Sequence, residues 1–359
     1  MPRFFFVTCQ IGAEQAVKAD LARYMPDSRF AFSRRGFLTF KLATATDLPD
    51  TFHPPSAFAR SYGFCIDKLS GSDPDQLARN TWDLARDLPV ERLHVFERDT
   101  ARPGENGYEP TMTARARETH VLLLKSPTRP DRLSKVPRNP LRPAPRGRLV
   151  LDCVLVEPHQ WWIGYHRVRR EESRWPGGII PLVPPADVVS RAWLKMEEAL
   201  RWSRLPIREG SRVADVGSAP GGASQALLAR GCEVMGIDPA AMDPRVLEHP
   251  RFRHVRCRAR QVHRREFRKV RWLTADMNVA PACTLDAVEE IVMHPTVSVR
   301  GLLLTLKLTK WSLAEKLPEW ILRIRSWGYN IVRARQLIHN RQEVCVSALM
   351  KPFRRKPAR

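Results

Sequence analysis

Asp215-Val216-Gly217-Ser218-Ala219-Pro220-Gly221-Gly222 is the stretch that decides the reading of this chain. It follows a short apolar run, 213–216, and precedes a helical stretch, 223–230. Glycines at such a strand-to-helix junction let the backbone turn tightly and approach a ligand. The next apolar run, 234–237, ends on an acid, Asp238, 21 residues after Gly217. At about 20 residues, a carboxylate in that place accepts hydrogen bonds from ribose hydroxyls. The loop is neither a G-x-G-x-x-G dinucleotide fingerprint nor a G-x-x-x-x-G-K phosphate loop. The turn and the spaced acid together point to a cofactor that carries a nucleoside.

Outward from the loop, apolar runs at 252–257, 272–275 and 302–308 alternate with helical stretches at 285–293 and 313–327. Such alternation predicts an α/β domain, Rossmann-like, with a mostly parallel sheet covered on both faces. Two last runs, 330–336 and 344–349, predict an antiparallel hairpin at the sheet edge. This domain is expected over 187–352, after a Pro/Gly-rich linker at 171–186 and before a basic tail at 353–359. Upstream, 1–68 reads as a small α+β unit with strands at 4–9, 30–32 and 36–42 and a helix at 13–24. Residues 69–170 read as a second unit: a helix at 75–88, a strand at 93–97, a long polar stretch, and a hairpin of 149–157 with 161–168. The end of the polar stretch, 125–148, holds eight Lys/Arg, six Pro and one acid, Asp131, and is expected to be an exposed insertion.

The net charge of +22, from 60 Lys+Arg against 38 Asp+Glu, makes a polyanion the first partner to consider. Residues 251–271 carry ten Lys/Arg against Glu266 alone, and 351–359 add five more. Phosphate contacts from such segments position RNA without reading its sequence. Trp161, Trp162 and Tyr165 are apolar enough to pack in a core and flat enough to stack on bases; core packing is the expectation. No run reaches the ~18–20 apolar residues of a bilayer span. The opening MPRFFFVTCQ lacks a small-residue cleavage site, so a buried first strand and a cytoplasmic location are expected. Seven dispersed cysteines, without a C-x-x-C pair or a Cys/His cluster at zinc spacing, predict reduced thiols and no metal site.

DVGSAPGGASQ, residues 215–225, resembles the cofactor loop of the FtsJ-type (RrmJ-like) ribose 2′-O-methyltransferases. That family also uses a Lys-Asp-Lys-Glu tetrad. Lys195 lies on a helical stretch before the first strand, Asp276 ends the fourth, Lys307 is in the fifth, and Glu343 opens the last. Within the family, residues 175–200, 306–310 and 339–344 are similar to motifs of its RlmM-like branch, which methylates a cytidine ribose of large-subunit ribosomal RNA. The resemblance implies S-adenosylmethionine as cofactor and ribosomal RNA or its precursor as substrate. It also implies ferredoxin-like and THUMP-like N-terminal units. A monomer is expected. No DNA or membrane partner is expected. It assigns cofactor contacts to Ser190, Asp215, Gly217, Ser218, Ala219, Pro220, Gly221, Gly222, Asp238 and Asp276. Two positions depart from the family pattern: Arg258 stands where an Asp near the adenine is expected, and Ala223 where Trp is common.

A ribose hydroxyl is a poor nucleophile and must lose its proton as it attacks. The tetrad supplies Lys307 as base, with Lys195 and burial expected to lower its pKa, and Asp276 and Glu343 to orient the two amines. The competing expectation is a non-catalytic RNA-binding or ribosome-assembly factor that keeps a degenerate methyltransferase domain.

Overall fold

The computed structural model describes residues 3–43, 52–126, 128–129 and 139–350. The basic tail and much of the 125–148 insertion therefore lie outside the described residues. The chain divides into two compact units, one through Pro181 and one from Leu182 onward.

The first unit is built on one seven-stranded sheet in the order β2-β3-β1-β4-β7-β6-β5. Its elements are β1 (Phe4–Thr8), α1 (Glu14–Tyr24), β2 (Arg29–Arg34), β3 (Phe37–Lys41), β4 (Ser61–Ser70), α2 (Pro74–Leu84), β5 (Arg92–Glu97), α3 (Ala114–Lys125), β6 (Leu149–Glu157) and β7 (Gln160–Arg167). β4 runs through the expected boundary at 68/69, so the two N-terminal segments share a single sheet. β6 and β7 form the expected antiparallel hairpin, and β5 joins β6 in parallel.

The polar stretch read as irregular contains α3. Thr113 caps it by accepting the Ala116 N–H at 3.1 Å, and Ala116, His120 and Leu123 bury one stripe. With α2 it covers a core of Trp82, Leu93, Val95, Leu151, Cys153 and Trp161, and the Trp82 Nε1–H donates to the Leu123 carbonyl. Trp161 is thus a core residue. Trp162 packs on Phe32 and Phe37, and Tyr165 on Phe64. The first part of the expected linker folds into short turns: Pro176, Gly177 and Gly178 are buried.

The second unit carries another seven-stranded sheet, in the order β10-β9-β8-β11-β12-β14-β13. It comprises α4 (Ala192–Ser203), β8 (Arg212–Val216), α5 (Gly222–Ala229), β9 (Glu233–Ile237), α6 (Pro244–Leu247), β10 (Phe252–Val255), β11 (Trp272–Ala275), α7 (Pro281–Val292), β12 (Gly301–Lys307), α8 (Leu317–Ser326), β13 (Ile331–Arg335) and β14 (Glu343–Leu349). β8 to β12 are parallel; β14 runs antiparallel between β12 and β13.

Trp193, Met196 and Leu200 of α4 and Leu227 of α5 pack with Val213, Val234 and Leu303 of the strands. Arg323 of α8 pairs with Asp286 of α7 at 2.7 Å. The expected helix 313–327 begins only at Leu317: Pro318 lacks an N–H and is tolerated in a first turn, so the preceding turn is a 3-10 helix. No helix among the described residues is long and apolar enough to cross a membrane.

Candidate active site

The strand order reverses between β8 and β11, where chain connections leave in opposite directions. In open α/β sheets, ligands bind outside the carboxyl ends of the strands at such a switch point. The 217–222 loop leaves β8 there, Asp238 leaves β9, Asp276 leaves β11, and Lys307 ends β12.

The loop glycines are required by the protein's own packing. Gly217 has φ +79°, and a Cβ on it would stand 2.7 Å from the Asp276 carbonyl oxygen. A Cβ on Gly222 would stand 2.2 Å from Ser190 Oγ. Side chains here would push the loop off the β11 turn and off the segment before α4. That segment is also tied down by Gln225, whose Oε1 accepts the Val189 N–H and whose amide donates to the Asp187 carbonyl.

The assigned cofactor residues divide by their surroundings. Asp238 is half-buried; its carboxylate accepts the Ala219 N–H at 3.2 Å and the Ala240 N–H at 2.8 Å. Each carboxylate oxygen keeps a second lone pair for a ribose hydroxyl, so the crevice suits a nucleoside. Asp215 does not line it. Its side chain is buried, its oxygens accepting from Ser224 Oγ at 2.7 Å and Thr274 Oγ1 at 2.8 Å. Burial raises its pKa to about 6 despite those hydrogen bonds. Ser218 is likewise buried, its hydroxyl on Met242 Sδ. Ala219 is partly exposed and Pro220 exposed, whereas Gly221 and Gly222 are buried.

Lys195, Asp276, Lys307 and Glu343 come together from four elements. Lys195 Nζ is 2.6 Å from Asp276 Oδ2 and 3.0 Å from Glu343 Oε2. Lys307 Nζ is 2.8 Å from Glu343 Oε1. It is also 3.1 Å from Asp276 Oδ1, an ion-pair approach whose angle falls short of a hydrogen bond. The four charges alternate in sign around a ring, so each cation touches both anions and the net charge is zero. Such a set is tolerable inside a protein because each ion is paired, and loss of one member leaves an uncompensated charge.

The electrostatics depart from expectation in one respect. Burial lowers the Lys307 pKa, but Asp276 and Glu343 outweigh it, and the net pKa lies above the ordinary lysine value. The expected depression by Lys195 fails because two carboxylates stand between the amines. Burial likewise opposes ionisation of Asp276, but Lys195 and Lys307 hold its pKa below the usual carboxylate range.

Two further residues shape the site; both lie in stretches that resemble the family, 175–200 and 339–344, but the resemblance gives them no role. Asn340 is fully buried; its Nδ2 donates to Glu343 Oε2 at 3.2 Å and its Oδ1 accepts the Leu337 N–H. Glu198, buried on α4, accepts the backbone N–H groups of Ile338 and His339 at 2.9 and 3.0 Å. Together they fix the 337–343 turn that delivers Glu343.

Arg258 is exposed and precedes a short turn, its N–H donating to Gln261 Oε1. Ala223 is buried in the first turn of α5. Within the basic segment 251–271, Arg253 pairs with Glu266, and Arg260 and Arg264 pair with Glu290. Arg256, Arg258, Arg268 and Lys269 are exposed. All seven cysteines are free thiols; Cys9, Cys153, Cys232 and Cys345 are buried.

Residues 188–320 match the model of the FtsJ-like methyltransferase family. Ribosomal RNA large subunit methyltransferase M of Laribacter hongkongensis is 30% identical over 187 residues, covering 48% of this chain and 51% of that protein. The protein of the same name from Halorhodospira halophila is 30% identical over 187 residues, covering 51% and 53%. That from Haemophilus influenzae is 26% identical over 216 residues, covering 56% and 58%. The chain spans about half the length of the curated relatives it matches.

Proposed function

We propose that this FtsJ-like domain transfers a methyl group from S-adenosylmethionine to a ribose 2′-hydroxyl of RNA, with a cytidine of large-subunit ribosomal RNA as the target. The observation that carries the reading is the ring of Lys195, Asp276, Lys307 and Glu343 beside the glycine turn. The relatives that share the domain are named for the same reaction class.

S-adenosylmethionine supplies an electrophilic methyl group. Asp238 holds the ribose of the cofactor, and the backbone from Ala219 to Gly222, with Ser190 behind it, shapes the rest of the cradle. Lys307 takes the proton from the 2′-hydroxyl through its Nζ. Glu343 and Asp276 aim both amines, and Lys195 stabilises the oxygen as it becomes anionic. Because its carboxylate partners favour the ammonium, Lys307 holds its proton at neutral pH, and the base form is a minor species. The protein's main contributions are alignment and electrostatics.

The N-terminal unit, read as ferredoxin-like and THUMP-like, holds the RNA, and the exposed Arg256, Arg258, Arg268 and Lys269 add phosphate contacts. The protein acts as a monomer in the cytoplasm. The test is tritium transfer from labelled cofactor to large-subunit RNA lacking its modifications, with mapping of 2′-O-methyl marks in cells with and without the gene. Transfer that maps to one ribose supports the proposal. Cofactor binding with no transfer to free RNA or to assembly intermediates overturns it in favour of a non-catalytic assembly factor.

A further inference from the structure

His94, Asp152 and His166 lie far apart in the chain but on one patch of the first unit's sheet. His94 of β5 stands opposite Asp152 of β6, and His166 of β7 stands opposite Val150, two residues away on the same face. All three are buried. His166 Nδ1 is 2.6 Å from Asp152 Oδ2, and His94 Nδ1 is 3.9 Å from Asp152 Oδ1. One donor atom from each residue falls within 4.8 Å of the others.

The second ring nitrogen of His166 is set by a backbone group: Nε2 lies 2.8 Å from the Ser173 carbonyl. With an Nε2–H donated there, the 2.6 Å contact between Nδ1 and Asp152 Oδ2 is bridged either by a proton or by a metal ion. A backbone carbonyl on the far nitrogen is also how metal-bound histidines are commonly oriented.

His94 gives the independent observation. It is 3% exposed, yet neither ring nitrogen has a hydrogen bond of normal geometry. Burying polar atoms without partners costs free energy, so such a ring inside a sheet calls for a ligand.

We propose that His94, Asp152 and His166 form a buried site for one divalent transition-metal ion of the zinc class, which ties β5, β6 and β7 together. Two imidazoles and a carboxylate suit that class of ion. Tetrahedral coordination with metal–ligand bonds near 2.1 Å places donor atoms about 3.4 Å apart. The two histidine-to-carboxylate separations, 2.6 and 3.9 Å, bracket that value, and all three donor atoms lie within 4.8 Å of one another. No local spacing announces it, because the three residues come from three strands.

The test uses the full chain, dialysed against a chelator and titrated calorimetrically with zinc chloride. A parallel titration with cobalt(II) is read by its visible ligand-field absorption. One saturable equivalent is expected, with zinc raising the unfolding midpoint. His94→Gln removes a ligand without breaking a hydrogen bond, so the metal-free variant should keep the parent's circular dichroism. Its zinc affinity should fall by more than the roughly 10- to 100-fold that loss of an outer hydrogen-bond partner costs. Asp152→Asn, similar in volume, should abolish the cobalt spectrum. Absence of a zinc equivalent in the parent, or affinity in His94→Gln within tenfold of it, overturns the proposal. The cluster would then be an imidazolium–carboxylate pair held by a proton.

Discussion

The Glu198 carboxylate receives the His339 N–H at 3.0 Å, joining the middle of α4 to the turn before β14. Because Lys195 lies on the same helix, one rigid element places one amine of the charged ring directly and anchors the turn that brings Glu343. Glu198→Ala should orphan two buried N–H donors, each costing about 1–3 kcal/mol. A lowered unfolding midpoint and a fall in kcat are expected, with cofactor affinity by calorimetry nearly unchanged. Parental kcat in a folded Glu198→Ala would show that the turn holds without its anchor.

Lys307→Ala should abolish transfer while cofactor binding persists. Lys307→Arg is the sharper variant. It keeps a cation between Asp276 and Glu343, so the charge ring survives, but a guanidinium does not deprotonate in proteins. A loss of about 100- to 10,000-fold in kcat is expected for a missing base. Substantial turnover in a folded Lys307→Arg would remove Lys307 from that role.

The raised pKa of Lys307 fixes the sign of the pH profile. The active base form should grow about tenfold per pH unit below that pKa. The logarithm of kcat/KM should therefore rise with a slope near one from pH 6 to pH 9, without a plateau. Single-turnover rates would check this, since a slow release step flattens a steady-state profile. A plateau near neutrality would mean that the folded site depresses the lysine instead.

Asp215 makes a prediction about stability. Its pKa is raised from 3.8 to about 6 in the folded protein, so folding favours the protonated form. Its contribution is therefore greatest below pH 3.8 and is lost as pH rises through about 6. At 1.36 kcal/mol per unit, the swing is about 3 kcal/mol. Asp215→Asn should remove this component from the difference in unfolding free energy between pH 4 and pH 8. An unchanged pH dependence in the variant would place the titration elsewhere.

Gly222→Ala should damage the cofactor cradle, because the added Cβ meets Ser190 Oγ and the Ser190 carbonyl oxygen. The α4 entry or the glycine turn must then shift. Weaker cofactor binding is expected, about tenfold or more, from a displacement on the ångström scale. Calorimetry with S-adenosylmethionine would test it, and unchanged affinity would show that the entry segment gives way freely.

The sequence foreshadowed those parts of the site that sit at ends of regular elements. Asp238, Asp276, Lys307 and Glu343 each flank or bound an apolar run, and parallel alternation brings such ends to one rim. Residues whose roles come only from tertiary contacts left no such trace. Asn340 and Glu198 act through bonds that form when the 337–343 turn docks on α4. Asp215 sits in the motif itself, yet its direction is set by Ser224 and Thr274. α3 escaped notice because its exposed face is strongly polar, although its Thr cap and i, i+4, i+7 stripe are present. The raised Lys307 pKa leaves no trace in the sequence, because it depends on two acids that only the fold places between the amines.

The reversal of β14 has a topological consequence. Were that strand parallel to its neighbours, its first residue would lie at the opposite end of the sheet from the last residue of β12. Running backwards, it sets Glu343 directly across from Lys307. Side chains alternate faces along a strand, so sliding β14 by a single residue would carry Glu343 through to the other side of the sheet. The charged ring therefore depends on strand register as well as on side-chain identity, and a one-residue insertion or deletion within β14 would break it even with all four charged residues retained.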